Sequence, residues 1–122
     1  MIKLSDVVID CSDTMGMARF YAAVAGGTVR EDSDLDWASV DLPGFALAFQ
    51  HVNDYRAPEW PGQERGQQVH IDFEVDDLEA EGARIVELGA MFREEHIGDT
   101  GYGFVVYLDP AGHPFCLCRT RS

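Results

Sequence analysis

Basic residues are scarce in this 122-residue sequence. Lys and Arg together number 9 against 22 Asp and Glu, so the formal net charge is −13. Such a chain repels phosphate backbones, which argues against nucleic-acid binding. It repels anionic membrane surfaces for the same reason. Long apolar runs are missing too. Runs such as Phe45 to Phe49 and Phe104 to Leu108 hold about five residues, where a membrane-spanning helix needs roughly twenty. No charged-then-apolar leader opens the sequence, so no secretory signal is expected. Cysteine is limited to Cys11, Cys116 and Cys118. An odd count without a leader fits a reduced cytoplasm better than a disulfide framework. Cys116-Leu117-Cys118 is C-x-C rather than the C-x-x-C of zinc or redox motifs, and on a strand both thiols would share one face. The sequence holds no P-loop, no Gly-x-Gly-x-x-Gly and no Gly-x-Ser-x-Gly. NTPase, dinucleotide oxidoreductase and serine hydrolase readings lose their main signals.

What is present is an ordinary globular balance, 46% hydrophobic and 25% charged, at the length of one domain. The most informative feature is an internal repeat. Residues 6–27 read DVVIDCSDTMGMARFYAAVAGG and residues 70–90 read HIDFEVDDLEAEGARIVELGA. Each is a short strand, an Asp-rich break, a helix and a Gly. Asp13 and Asp77 correspond at a spacing of 64, as do Asp10 and Glu74, and Gly26 and Gly89 at 63. Ser12 or Asp13 caps the first helix, and Asp76 or Asp77 the second. Met15, Ala18, Tyr21 and Val24 recur at helical spacing in the first, Leu78, Ile85 and Leu88 in the second. Gly26 supplies a left-handed C-terminal position. Gly16 and Gly82 lie inside the helices and point to close helix–sheet packing.

Strands are expected over Thr28–Glu31, Trp37–Asp41 and Phe45–His51, and again over Ala90–Glu95, Phe104–Leu108 and His113–Cys118. Asp32–Asp36, Leu42-Pro43-Gly44, Gly98–Gly103 and Asp109–Gly112 read as turns. The order is β-α-β-β-β, twice. Residues 1–52 form the first module, 53–67 a Pro-, Gly- and Gln-rich surface linker, and 68–122 the second. The fold class is α+β. Two such modules can join into a curved eight-stranded mixed sheet, with helices on the convex face and a concave cup on the other.

Strand alternation assigns side chains to the two faces. Val69, Ile71, Phe73 and Val75 share the face that packs on a helix, leaving His70, Asp72 and Glu74 on the cup side. In the first module Val7, Ile9 and Cys11 leave Asp6, Val8 and Asp10 opposite. Asp6 falls at the position of His70. Cys116 and Cys118 share one face, as do Ala46, Ala48 and Gln50. The run DFEVDDLEAE has six acids in ten residues. Asp76, Asp77 and Glu79 sit at a helix N-terminus, where negative charge is favourable. The acids of the cup are Asp6, Asp10, Asp72 and Glu74.

The paired βαβββ pattern resembles the vicinal oxygen chelate superfamily: glyoxalase I, bleomycin-resistance proteins, fosfomycin-resistance enzymes and extradiol dioxygenases. The residues that carry the likeness are Phe20-Tyr21, the run His70 to Leu78, and Leu108 to Phe115. It is most similar to the small bacterial glyoxalase-like proteins. The resemblance implies a small ligand in the cup, a homodimer, and in some members a divalent ion held by the first and last strands of each module. Carried over, His70 matches a ligand position. Asp6 lies where His or Gln usually sits, Cys116 where the final Glu sits, and Ala48 at the other Glu position, with Gln50 one strand period on.

Two main readings of this group stand together, beside a third in which a paired imidazole and carboxylate serve a metal-free enzyme as general base. In one, His70 and Asp6 bind a divalent metal that holds vicinal oxygens of a substrate, as in a lyase or dioxygenase. In the other the cup is metal-free. His70 then hydrogen-bonds to Asp6 or Asp72, Cys116 is a small buried hydrophobe, and the acidic cup sequesters a small cationic compound as bleomycin-resistance proteins do. The candidate ligand-binding residues are Asp6, Gln50, Trp60, His70, Asp72 and Cys116; the candidate metal ligands are His70 and Asp6. Trp60 and Tyr55 either stack on a flat ligand or cover core edges. Trp37, Phe45, Phe49, Phe104 and Tyr107 are expected mainly in the core. No catalytic residue is identified.

Overall fold

The computed structural model describes residues 1–59, 62, 64–67 and 69–120. Ten elements follow in order: β1 (Asp6–Cys11), α1 (Thr14–Ala25), β2 (Thr28–Val29), β3 (Trp37–Leu42), β4 (Phe45–His51), β5 (Ile71–Glu74), α2 (Leu78–Glu87), β6 (Met91–Ile97), β7 (Gly103–Leu108) and β8 (Pro114–Arg119). The chain forms two compact units, Met1–Arg56 and Ala57–Ser122, each a βαβββ module. The ladder hydrogen bonds form two four-stranded sheets, ordered β1-β4-β3-β2 and β5-β8-β7-β6. In each, the first strand runs parallel to the last and the remaining pairs are antiparallel. No helix among the described residues is long and apolar enough to cross a membrane.

The helices begin and end where their sequence signals lie. Asp13 caps α1 by accepting from the Gly16 N–H at 3.0 Å, and Asp77 caps α2 by accepting from the Ala80 N–H at 3.0 Å. Gly26, at φ 75°, closes α1 in the left-handed conformation that costs glycine nothing. The glycines inside the helices differ. A Cβ on Gly82 would meet the Tyr107 hydroxyl on β7, so helix and sheet do approach closely there. A Cβ on Gly16 would meet the Asp13 carboxylate instead, so that position clears space for the cap, not for the sheet.

In the first unit Met17, Ala18, Tyr21 and Val24 face the sheet, with Tyr21 stacked on Phe49 at 5.6 Å. In the second unit Ile85 is fully buried, and Phe115 lies between Phe73 and Tyr107 at 6.1 and 5.9 Å. Rings of this size contribute most of the buried apolar area. The helices cover their sheets unequally: α1 lies across β2, β3 and β4, whereas α2 sits chiefly over β8. Edge strand β6 is left exposed along most of its length.

Three expectations need correction. Trp37 is 42% exposed, and its indole N–H donates to Ser39 Oγ at 3.1 Å. It begins β3 on the face opposite buried Ala38 and Val40, so alternation overrides its size. Val69 is exposed, because β5 begins at Ile71 and the apolar face begins with it. The strand expected over Thr28–Glu31 is only two residues long, since the Asp34 carboxylate organises the following turn by accepting from the Asp36 and Trp37 N–H groups.

Candidate ligand and metal site

The second unit gathers five acidic, imidazole and thiol groups on the sheet face opposite α2: His70, Asp72, Glu74, Cys116 and Cys118. Register places Asp72 beside Cys116 and Cys116 beside Val106; one row further, Glu74, Cys118 and Phe104 align. His70 lies two residues before Asp72, on the same side. Its Nε2 stands 3.2 Å from Asp72 Oδ1. One donor atom each from His70, Asp72 and Cys116 lie within 4.8 Å of one another. Glu74 is committed elsewhere: its carboxylate accepts from the Thr120 N–H at 2.8 Å and hydroxyl at 2.9 Å, which clamps the end of β8.

A cavity of about 380 Å³ opens over this face. Phe104, Val106 and Pro114 form its apolar wall, and Gln67, His70, Asp72 and Thr120 its polar side. Such volume and such a lining suit a small molecule. Gln67 Oε1 is buried and has no hydrogen-bond partner among the described residues. Sequence reasoning placed Gln67 in a linker and Phe104 in the core. The Gln67 position carries no motif, whereas alternation from buried Val105 would have turned Phe104 outward.

The thiols are buried. Burial first, then the Asp72 charge and Cys118, push Cys116 up to about 12; burial, Asp72 and Glu74 push Cys118 to about 11. Neither is an activated nucleophile at neutral pH, because the thiolate is the reactive form.

Asp6 and Gln50 belong to the first unit. Asp6 Oδ1 is buried without a hydrogen-bond partner among the described residues, and Arg30 approaches it at 4.0 Å. Gln50 is exposed near the end of β4, in register with Asp10 and Trp37. Trp60 lies outside the described residues.

A glyoxalase-like domain model matches residues 6–118. The chain belongs to the glyoxalase-like domain family. Solved structures of the same fold include a glyoxalase/bleomycin resistance protein/dioxygenase family enzyme from Burkholderia phytofirmans PsJN. That protein is 17% identical with a TM-score of 0.77, over 98% of this chain and 100% of that one. A glyoxalase family protein from Enterococcus faecalis is 25% identical with a TM-score of 0.71, over 96% and 97%. The oxidase ChaP-H2 is 20% identical with a TM-score of 0.70, over 99% and 95%. No curated protein matches the chain by sequence. The α+β class and the paired βαβββ modules expected from the repeat are present, as two four-stranded sheets, and the likeness to the vicinal oxygen chelate superfamily holds.

Some members of the superfamily hold a divalent ion, and the chemistry of the donor set here bears on that. His70, Asp72 and Cys116 offer nitrogen, oxygen and sulfur in one cluster. This mixed set suits zinc, which accepts thiolate, better than magnesium or manganese, which prefer oxygen ligands. With these three residues as ligands, a bound zinc would have a fourth position for water or substrate.

Proposed function

We propose that this glyoxalase-like protein binds a small molecule bearing N–H donors in the cavity over β5, β8 and β7. The observation that carries this reading is the buried, unpartnered Gln67 Oε1 in a cavity that also holds Asp72. An orphaned buried acceptor costs about 1–3 kcal/mol, which a ligand N–H donor offsets. Asp72 favours positive charge on that ligand, and among the described residues no Lys or Arg lines the cavity. Phe104, Val106 and Pro114 take its apolar part. The His70–Asp72 pair is the polar end, with imidazole able to hold or pass a proton.

A matched series of amines, alcohols and carboxylates on one apolar scaffold tests this by calorimetry. Amines should bind tightest, and Gln67→Leu should weaken them several-fold while leaving the alcohols less affected. Equal affinity for amines and carboxylates would refute the reading.

A second reading rests on the His70–Asp72–Cys116 cluster. There the three residues hold a zinc-type ion, and the protein is a metal-assisted enzyme. Bound zinc would polarise a substrate oxygen or lower the pKa of a water. Cobalt(II) titration discriminates. A sulfur-to-cobalt charge-transfer band lost in Cys116→Ala supports the metal reading; its absence in the wild type leaves the metal-free one.

A further inference from the structure

The helix side of the second unit holds another cavity, of about 670 Å³, between α2 and the β6–β7 hairpin. It exists because α2 sits chiefly over β8 and leaves the outer face of β6 and β7 uncovered. Gly82 contributes to its floor beside the Tyr107 hydroxyl. Phe92, 55% exposed, meets Tyr107 edge-to-face at 6.1 Å and 79°, which makes an aromatic corner. Val86 and Ile97 extend the apolar wall.

The polar groups in this cavity are of one kind. Glu79 and Glu95 line it, and among the described residues no Lys or Arg does. Tyr107 is only 5% exposed, and its hydroxyl has no hydrogen-bond partner among the described residues. Burial, and secondarily the Glu95 charge, push its phenol above the ordinary range. The Tyr107 side chain is thus nearly buried while its unpartnered hydroxyl opens into an apolar cavity beside two carboxylates, which makes it a receptor for a donor group.

We propose that this cavity is a second ligand site, distinct from the His70 pocket, that takes an arylalkylamine. The ring packs against Phe92, Val86 and Ile97. The ammonium lies among Glu79, Glu95 and the Tyr107 oxygen, donating its protons to them. A positive group also gains from the aromatic faces. The charge pattern disfavours a second copy of this chain as occupant, because a partner that also carries −13 would bring more negative charge to Glu79 and Glu95. Anionic ligands are excluded on the same ground.

Titration of the labelled full chain with tryptamine, followed by amide chemical shifts, tests this. Indole-3-propionate and 3-propylindole serve as anionic and neutral counterparts. Saturable shifts at Gly82, Val86, Phe92 and Ile97 are expected with tryptamine, and much weaker ones with the counterparts. Tyr107→Phe should weaken tryptamine about threefold to tenfold, as loss of one hydrogen bond does. Glu79→Gln with Glu95→Gln should weaken it further, with the spectrum still well dispersed. Three results would each overturn the proposal: no saturable shift in these residues, shifts confined to the His70 pocket, or equal affinity for the three compounds. So would a dimer in sedimentation that Phe92→Lys converts to monomer, because a second copy would then cover the cavity.

Discussion

Asp72 and Cys116 are direct register partners across the parallel β5–β8 ladder, so a buried thiol sits beside a carboxylate. Burial and the neighbouring carboxylate both disfavour the Cys116 thiolate, so the thiol is not a nucleophile at neutral pH. The thiol holds its proton until something draws it off.

That protonation has a consequence at alkaline pH. Burial and Asp72 raise Cys116 from 9.0 to about 12, and burial with Asp72 and Glu74 raises Cys118 to about 11. Below pH 9 both folded and unfolded chains keep these protons, and the contribution to stability is fully present. Above it the unfolded chain releases protons that the native state retains, so stability falls as pH rises toward 11 and 12. Urea unfolding from about pH 8 to about pH 10.5 should show a steeper decline for the wild type than for Cys116→Ala/Cys118→Ala. Parallel declines would contradict the assignment.

Zinc, on the metal-assisted reading, has to displace the Cys116 proton. Binding should therefore release protons and weaken as pH falls. Added zinc should raise the unfolding midpoint, by about 2.7 kcal/mol of stability at a hundred times Kd. His70→Ala and Cys116→Ala should each abolish that rise. A zinc-induced shift that survives both changes would place the ion elsewhere.

Asp109 is 2% exposed, and its Oδ1 accepts from the Ala111 and His113 N–H groups, both at 2.9 Å. The carboxylate thus ties together the turn that aims β8 at the pocket. Asp109→Ala leaves two amides without that acceptor and should cost about 1–3 kcal/mol in denaturant unfolding. Asp109→Asn keeps one acceptor oxygen and should cost less. An Asn variant as destabilised as the Ala variant would count against the hydrogen-bond explanation.

Much of this arrangement was legible because its causes are local. Asp13 and Asp77 announce helix starts through a hydrogen bond three residues on, and Gly26 announces an end through its backbone freedom. Asp72 was readable as pocket-facing from strand alternation, and Cys116 from its place in the family likeness. The misread positions depend on other things. Trp37 was judged by its size, although its neighbours Ala38 and Val40 already fixed its face. Gln67 joins the pocket through the path of an irregular segment, which no periodicity encodes. The cavity beside α2 depends on where a helix comes to rest on its sheet, and this is set by packing across elements distant in sequence.

The Asp13–Gly16 contact makes the last prediction a reversal of sign. Alanine is favoured over glycine inside a helix by about 1 kcal/mol. At Gly16, however, a Cβ would meet the Asp13 carboxylate that caps α1, so Gly16→Ala displaces the cap. Loss of such a cap costs about 1 kcal/mol, and crowding against it adds to that. Gly16→Ala should therefore be neutral to destabilising in the wild type. In an Asp13→Ala background nothing remains to displace, and the same change should stabilise by about 1 kcal/mol. A double-mutant cycle in urea measures the difference directly. Additive effects of the two changes would show that the cap and the glycine are independent.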